Sequence, residues 1–316
     1  MVEESMIKKD LEFISEQDGL RLDGLLIGAE EGKAILQISH GMCEHKERYL
    51  PFMEYMANQG YICVIHDHRG HGKSVRLQED LGYFYKNGGE NLVEDLHQIT
   101  QAIKKQYIGL PYFLLGHSMG SLAVRCYIKK YDTDLDGLIV CGSPSENTMA
   151  GIGILIDKAI QKYRGGHGRS SVIDTVFSKG FEKAFEKEHI PHAWICSDKN
   201  VVAAYNADPL CNFTFTLNGY EALLWLVKNT YSLQGWKVEK PKLPIYFISG
   251  AEDPCMIDQK KFLEAVALMQ KIGYKQVSSK LYQNMRHEIL NEIGKEQVYI
   301  DITTFLEELT EKKKIG

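Results

Sequence analysis

The sequence lacks a CxxC pair, a basic excess, a long apolar run, an internal repeat and a low-complexity tract. Each absence removes a class of protein. The seven cysteines, at 43, 63, 126, 141, 196, 211 and 255, are odd in number and widely spaced. That argues against a disulfide framework or a cysteine-rich zinc site and reads as small buried hydrophobes in a reducing compartment. The net charge is −5, so there is no basic excess to attract nucleic acid or an anionic membrane. The most apolar run, Ala222 to Val227 (ALLWLV), is far shorter than the ~20 residues of a membrane span. The N-terminal MVEESMIKKDLEFISE is charged and has no signal-peptide core. The expectation is a cytoplasmic protein with no integral membrane association, for which transient contact with a lipid surface stays open. Oligomeric state leaves no mark on the sequence.

What is present fits one large α/β domain with an insertion, or two modest domains. The chain has 316 residues, of which 44% are hydrophobic, enough to fill a core. Strand patterns fall at 11–15, 20–28, 33–39, 61–67, 111–117, 136–142, 242–250 and 276–283. Helical spacing falls at 48–60, 90–107, 119–131, 262–273 and 296–314. Strands alternating with helices predict a mostly parallel central sheet flanked by helices. The alternation breaks between about 145 and 240, where helical runs at 151–163 and 219–231 are separated by irregular stretches. The expected division is an α/β core of residues 1–144 and 241–316 with an inserted helical cap, 145–240.

One short motif carries chemistry. Gly116-His117-Ser118-Met119-Gly120 has the glycine-x-serine-x-glycine pattern. An apolar strand runs into the serine and a helix follows it, the context in which a sharp turn exposes a nucleophilic hydroxyl. Gly116 and Gly120 leave room for close backbone, and the helix start offers unpaired N–H groups to a developing oxyanion. The plain alternative is a serine N-cap.

A serine nucleophile needs a base, and the base an orienting acid. The chain order for such sheets is serine, acid, histidine. Of the later histidines, 167, 189 and 192 lie in the insertion, and only His287 follows a late strand. The acid belongs at the end of the strand before, where Asp253 precedes Pro254; Glu252 and Asp258 are neighbouring candidates. Taken singly, His287 and Asp253 could be a surface-loop histidine and a turn-forming Asp-Pro.

A second motif, Val64 to Ser74 (VIHDHRGHGKS), places His66, His68 and His71 at a spacing found in some zinc hydrolases. Gly70 stands where the dinuclear zinc pattern needs an aspartate, and no second tight histidine cluster exists to complete a site. The competing reading is a tight loop after a strand, braced by Asp67 and Arg69 through charge-assisted hydrogen bonds. No metal and no cofactor is expected.

Four motifs occur in order: His40-Gly41-Met42-x-Glu44-His45, Asp67-x-Arg69-Gly70-x-Gly72-x-Ser74, Gly116 to Gly120, and Arg286-His287-Glu288-Ile289-Leu290-Asn291-Glu292. Together they resemble the monoglyceride lipase and lysophospholipase branch of the α/β-hydrolases, over about residues 30–310. The resemblance implies the α/β-hydrolase fold, with Ser118 as nucleophile, Asp253 as acid and His287 as base. It implies that the turn at 40–42 is the oxyanion loop, with the backbone N–H groups of Met42 and Met119 as donors. Trp194 to Cys211 resembles the family's cap. Cys255-Met256-Ile257, after the acid, is shorter and more apolar than the family's loop. His40 and His117 then orient backbone or pack beside the serine, and Arg286 and Glu288 brace the base loop.

The implied activity is hydrolysis of carboxylic esters through an acyl-enzyme, on monoacylglycerols, lysophospholipids or smaller esters. The apolar runs at Ile152, Ile154, Leu155, Ile156, Ala159 and Ile160 and at Leu223 to Val227 either pack the cap or line an acyl pocket. Three alternatives stand beside it. A serine aminopeptidase would need a cap carboxylate for the substrate amine, such as Glu182, Glu186, Glu188 or Asp198. A metal-dependent hydrolase would use the three histidines. A non-catalytic binding protein would leave the serine unreactive.

Overall fold

Eight strands hydrogen-bond into one sheet in the computed structural model, which describes residues 6–146 and 165–315. They are β1 (Met6–Ile14), β2 (Arg21–Ala29), β3 (Ala34–Ser39), β4 (Tyr61–His66), β5 (Tyr112–His117), β6 (Gly137–Cys141), β7 (Pro244–Gly250) and β8 (Gln276–Tyr282). The spatial order is β1-β2-β4-β3-β5-β6-β7-β8. β2 runs antiparallel to both neighbours, and every pair from β4–β3 to β7–β8 is parallel. Strands β3 to β6 are buried along their whole length, as a parallel sheet covered on both faces requires.

Side chains alternate between two cores. Ile35, Leu114 and Val140 face one cluster with residues of α2 (Gly88–Gln106), α3 (Met119–Tyr131) and α7 (Gln259–Ile272). Leu36, Leu115 and Ile139 face the other with residues of α1 (Leu50–Asn58) and α8 (Lys295–Ile315). Each fully buried aliphatic side chain contributes about 1.5–3 kcal/mol over leaving it in water.

The insertion lies between β6 and β7 and holds α4 (Ser171–Ala184), α5 (Lys199–Ala207) and α6 (Leu217–Tyr231). α6 matches the helical run seen in the sequence, and it packs on α2 and α3 with Leu217, Tyr220, Leu223 and Leu226 inside the first cluster. The run at 151–163, with Ile152, Ile154, Leu155, Ile156, Ala159 and Ile160, lies outside the described residues. The helices α4 and α5 replace what the sequence pattern suggested was irregular chain. Both start at a side-chain cap: Ser170 accepts from the Ile173 N–H, and Asp198 from the Asn200 N–H at 2.9 Å. Among the described residues, no helix is long and apolar enough to cross a membrane.

Because β3 to β8 are parallel, the loops leaving their carboxyl ends gather on one edge. His40, Asp67, Ser118, Asp253 and His287 all sit in those loops, where open α/β sheets place their sites.

Candidate active site

Ser118 joins β5 to α3 at φ 53° and ψ −119°, a conformation that costs a non-glycine residue about 1–3 kcal/mol. The surroundings enforce it. The Ser118 N–H donates to the Cys141 carbonyl at 3.0 Å, and the Ser121 hydroxyl donates to the Ser118 carbonyl at 2.5 Å. The flanking glycines permit the turn: a Cβ on Gly116 would lie 2.4 Å from the Gly120 carbonyl oxygen, and one on Gly120 would lie 2.1 Å from that of Ser39. Met119 is the first residue of α3. Its N–H is among those with no partner inside the helix, at the positive end of the dipole.

His287 stands between Ser118 and Asp253. Its Nε2 is 2.8 Å from Ser118 Oγ, and its Nδ1 is 2.9 Å from Asp253 Oδ2. Asp253 also accepts from the Ser249 hydroxyl at 2.9 Å and from the Cys255 N–H at 2.8 Å. Asp253 and His287 are buried. Burial favours neutral imidazole, yet the Asp253 charge and its hydrogen bond outweigh it and raise the His287 pKa above the usual 6.5. Burial likewise pushes Asp253 up, and His287 more than offsets this, so its carboxyl sits below 3.8. The two other acid candidates are placed differently. Asp258 caps α7, accepting from the Lys261 N–H at 2.8 Å, and Glu252 lines the cavity described below.

A buried ion network behind these residues was not legible as a unit in the sequence. The Arg48 guanidinium donates to Glu44 at 2.9 Å and to both carboxylate oxygens of Glu288 at 2.6 Å. Glu44 in turn accepts from the Gly41 N–H and from the Tyr49 hydroxyl. One cation therefore ties the 40–42 turn to the loop that carries His287. It also lies over the Tyr205 ring of α5, 5.0 Å from its centroid. A second set of contacts clamps the base loop to the insertion. Glu292 accepts from the Ser197 N–H and the Arg286 N–H, each at 2.8 Å, and Arg286 donates to the Ala193 carbonyl at 2.6 Å and pairs with Glu188. The Trp194 ring packs 5.1 Å from that of His287. Arg286 and Glu288 do act as braces, and the available signal was Glu44 and Glu292 within the motifs, with Arg48 four residues after Glu44.

His66, His68 and His71 are buried and packed, and their ring nitrogens do not converge. Among the described residues, metal-capable groups within 4.8 Å of one another are His45–Asp208–Cys211 and Asp253–Cys255–His287, and neither contains one of the three. His68 Nε2 pairs with the Ser39 hydroxyl at 2.9 Å, and His71 Nδ1 with the Arg69 carbonyl at 3.1 Å. Desolvation lowers His66 to about 3 and His71 to about 4, so both are neutral. Asp67 and Arg69 brace the loop from within and from outside it, Asp67 accepting from the Lys73 N–H of the same loop at 2.9 Å. Asp67 accepts from the Lys46 N–H at 2.8 Å and its ammonium at 2.9 Å, and Arg69 pairs with Asp95 at 2.8 Å. His40 Nε2 accepts from the His68 N–H at 2.8 Å. The His117 ring packs 4.7 Å from that of His287, and burial, reinforced by that neighbouring imidazole, holds its pKa down to about 3. His45 links core to insertion: its nitrogens bond Glu47 at 2.6 Å and Asp208 at 2.9 Å.

Ser118 opens into a cavity of about 1210 Å³. Its walls are mainly apolar, with Leu122, Phe181, Leu223, Leu224, Val227 and Met256 among them, and Met42 and Met119 line it as well. The apolar run on α6 thus serves twice: Leu226 packs the core, while Leu224 and Val227 face the cavity. Of the insertion's carboxylates, Glu188 is paired with Arg286 and Asp198 caps α5. Glu182 lines the cavity and accepts from the His192 N–H at 3.1 Å. Glu186 is exposed.

Residues 30–294 match the hydrolase family described as serine aminopeptidase, S33. A monoacylglycerol lipase of Mycolicibacterium smegmatis is 24% identical over 281 residues, 87% of this chain and 88% of that one. A probable lysophospholipase L2 of Haemophilus influenzae is 23% identical over 278 residues, 82% of this chain and 79% of that one. A thermostable carboxyl esterase of Bacillus coagulans, solved in complex with glycerol, superposes with a TM-score of 0.88 at 26% identity, covering 97% of this chain and 100% of that one.

Proposed function

Because the chain belongs to the serine aminopeptidase S33 family, in the monoglyceride lipase-like branch of the α/β-hydrolases, we propose that it hydrolyses monoacylglycerols, with lysophospholipids and smaller esters as further substrates. Its chemistry is carboxylic ester hydrolysis. The observation that carries the mechanism is His287 bridging Ser118 and Asp253 at 2.8 and 2.9 Å.

In this mechanism His287 Nε2 takes the Ser118 proton as the hydroxyl oxygen attacks the acyl carbonyl. Asp253 holds the Nδ1 proton and stabilises the imidazolium that forms. The backbone N–H groups of Met42 and Met119 receive the oxyanion, each such donor contributing about 10²–10³ in rate. His287 then protonates the leaving alcohol, and a water repeats the cycle on the acyl-enzyme. The insertion, 145–240, acts as the cap over the acyl site, and the apolar cavity wall accepts the chain. Transient contact with a lipid surface would deliver such substrates. Seven buried free thiols suit a reducing compartment, so we place the protein in the cytoplasm.

The lipase, lysophospholipase and esterase relatives favour this reading over an aminopeptidase. The test is hydrolysis of monoacylglycerols of rising chain length beside a lysophospholipid and an aminoacyl anilide, with Ser118→Ala as the blank. Glyceride turnover that vanishes in the variant supports the proposal. Turnover of the anilide alone would replace it with the peptidase reading, and equal rates in both proteins would remove Ser118 from the mechanism.

A further inference from the structure

The loop after Asp253 contains a conformation that the fold has little reason to keep. Ile257 sits at φ 69° and ψ −61°, and the Asp258 N–H closes a three-residue ring onto the Met256 carbonyl at 2.8 Å. This is the strained form of the γ-turn. Positive φ is least tolerable for a β-branched side chain, and glycine would adopt it without strain.

The strain is held from both sides. Asp253 is fixed by His287, Ser249 and the Cys255 N–H. Asp258 is fixed as the cap of α7. Cys255 and Met256 point inward and are buried, and the turn they form packs against α4. The chain must then reverse within one residue to reach Asp258, which turns Ile257 outward.

The isoleucine side chain gives the fold little in return. It is 55% exposed, and among the described residues it joins no buried cluster. It does line the cavity that opens from Ser118. A side chain that both lines a cavity and is half exposed stands at its rim. Met256 and Leu281 are among the other apolar residues that line the same cavity.

We propose that Ile257 is a specificity-determining residue of the acyl site: a rim side chain, held outward by the strained turn, that contacts acyl chains long enough to reach the entrance. This rests on the ester-hydrolase reading above. Short acyl groups end inside the cavity and do not meet it. Long ones bury its exposed apolar surface and are favoured accordingly.

The experiment measures kcat/KM for a series of monoacyl esters from acetyl to palmitoyl in the wild type, Ile257→Gly, Ile257→Ser and Ile257→Leu. The ratio of long-chain to short-chain kcat/KM should fall about 3- to 10-fold in the glycine and serine variants, as expected for losing part of one aliphatic contact. Ile257→Leu, which keeps the contact, should hold the wild-type ratio. Ile257→Gly should melt at or above the wild-type temperature, because releasing the strain offsets the added freedom of the unfolded chain. An unmoved ratio in glycine and serine variants overturns the proposal. So does a melting temperature several degrees lower in Ile257→Gly, which would make the side chain part of the fold. A wild type inert on the whole series brings down the ester reading itself, an outcome distinct from an active enzyme whose ratio does not move.

Discussion

Replacing Arg48 with methionine removes one cation from between two buried carboxylates. Glu44 and Glu288 have side chains only 4% and 6% exposed, and Arg48 itself is 12% exposed. The guanidinium makes three charge-assisted bonds of 2.6 to 2.9 Å to them. Leaving a buried charge without its partner costs about 3–5 kcal/mol, a large part of the ~5–15 kcal/mol that holds a domain folded. The sign of the pH dependence follows. In the wild type, burial raises Glu288 but Arg48 more than offsets it and holds the carboxyl below 4.5. Its contribution is therefore present above pH 4.5 and lost as pH falls through the lower folded value. Without Arg48 the same buried carboxyl moves above 4.5, so acid neutralises it in the folded state and relieves the variant. Urea unfolding should show Arg48→Met destabilised by about 3–5 kcal/mol at pH 8, with a smaller gap from wild type at pH 5. Adding Glu288→Gln should recover at least about 1 kcal/mol at pH 8. Burial keeps the Glu44 carboxyl above 4.5 despite Arg48, so a cost below about 1 kcal/mol, or a gap that widens in acid, would refute the argument that the cation compensates Glu288.

Two further outcomes follow from the site. His287 must be neutral to act as base, and its folded pKa lies above 6.5, so kcat/KM should rise with pH on a limb centred above pH 6.5; a limb centred well below it would mean that Asp253 does not set the base. Gly120→Ala places a Cβ 2.1 Å from the Ser39 carbonyl oxygen, and it should cost about 1–3 kcal/mol or more with activity lost along with the turn; a thermal melt and rate indistinguishable from wild type would contradict the close approach.

The strands and core helices were legible because their signals are local. Period-two alternation and apolar runs mark β3 to β7, and Gly116 and Gly120 around Ser118 mark a turn whose sterics are written in three residues. The order serine, acid, histidine pointed to His287 and to the loop of Asp253, with Glu252 and Asp258 beside it, because a parallel sheet delivers successive strand ends to one edge. Gly180 and β-branched residues weaken the pattern of α4 and short length that of α5, although Ser170 and Asp198 mark their starts. Glu44 and Glu288 are visible as motif letters only, and Arg48 stands outside every motif. Residues 48 and 288 are joined by folding, and no spacing in the chain states which charge will be buried against which. The turn at Ile257 is of the same kind: a nonlocal requirement, fixing Asp253 and α7 at once, sets a dihedral angle that isoleucine would not choose.

The central claim is that Ser118 is the nucleophile and His287 its base. Labelling the intact protein with a fluorophosphonate and mapping the adduct by mass spectrometry tests it most directly. The account predicts one adduct, on Ser118, absent in Ser118→Ala and formed orders of magnitude more slowly in His287→Ala. An adduct on another residue, or ester hydrolysis that survives full labelling, would contradict it.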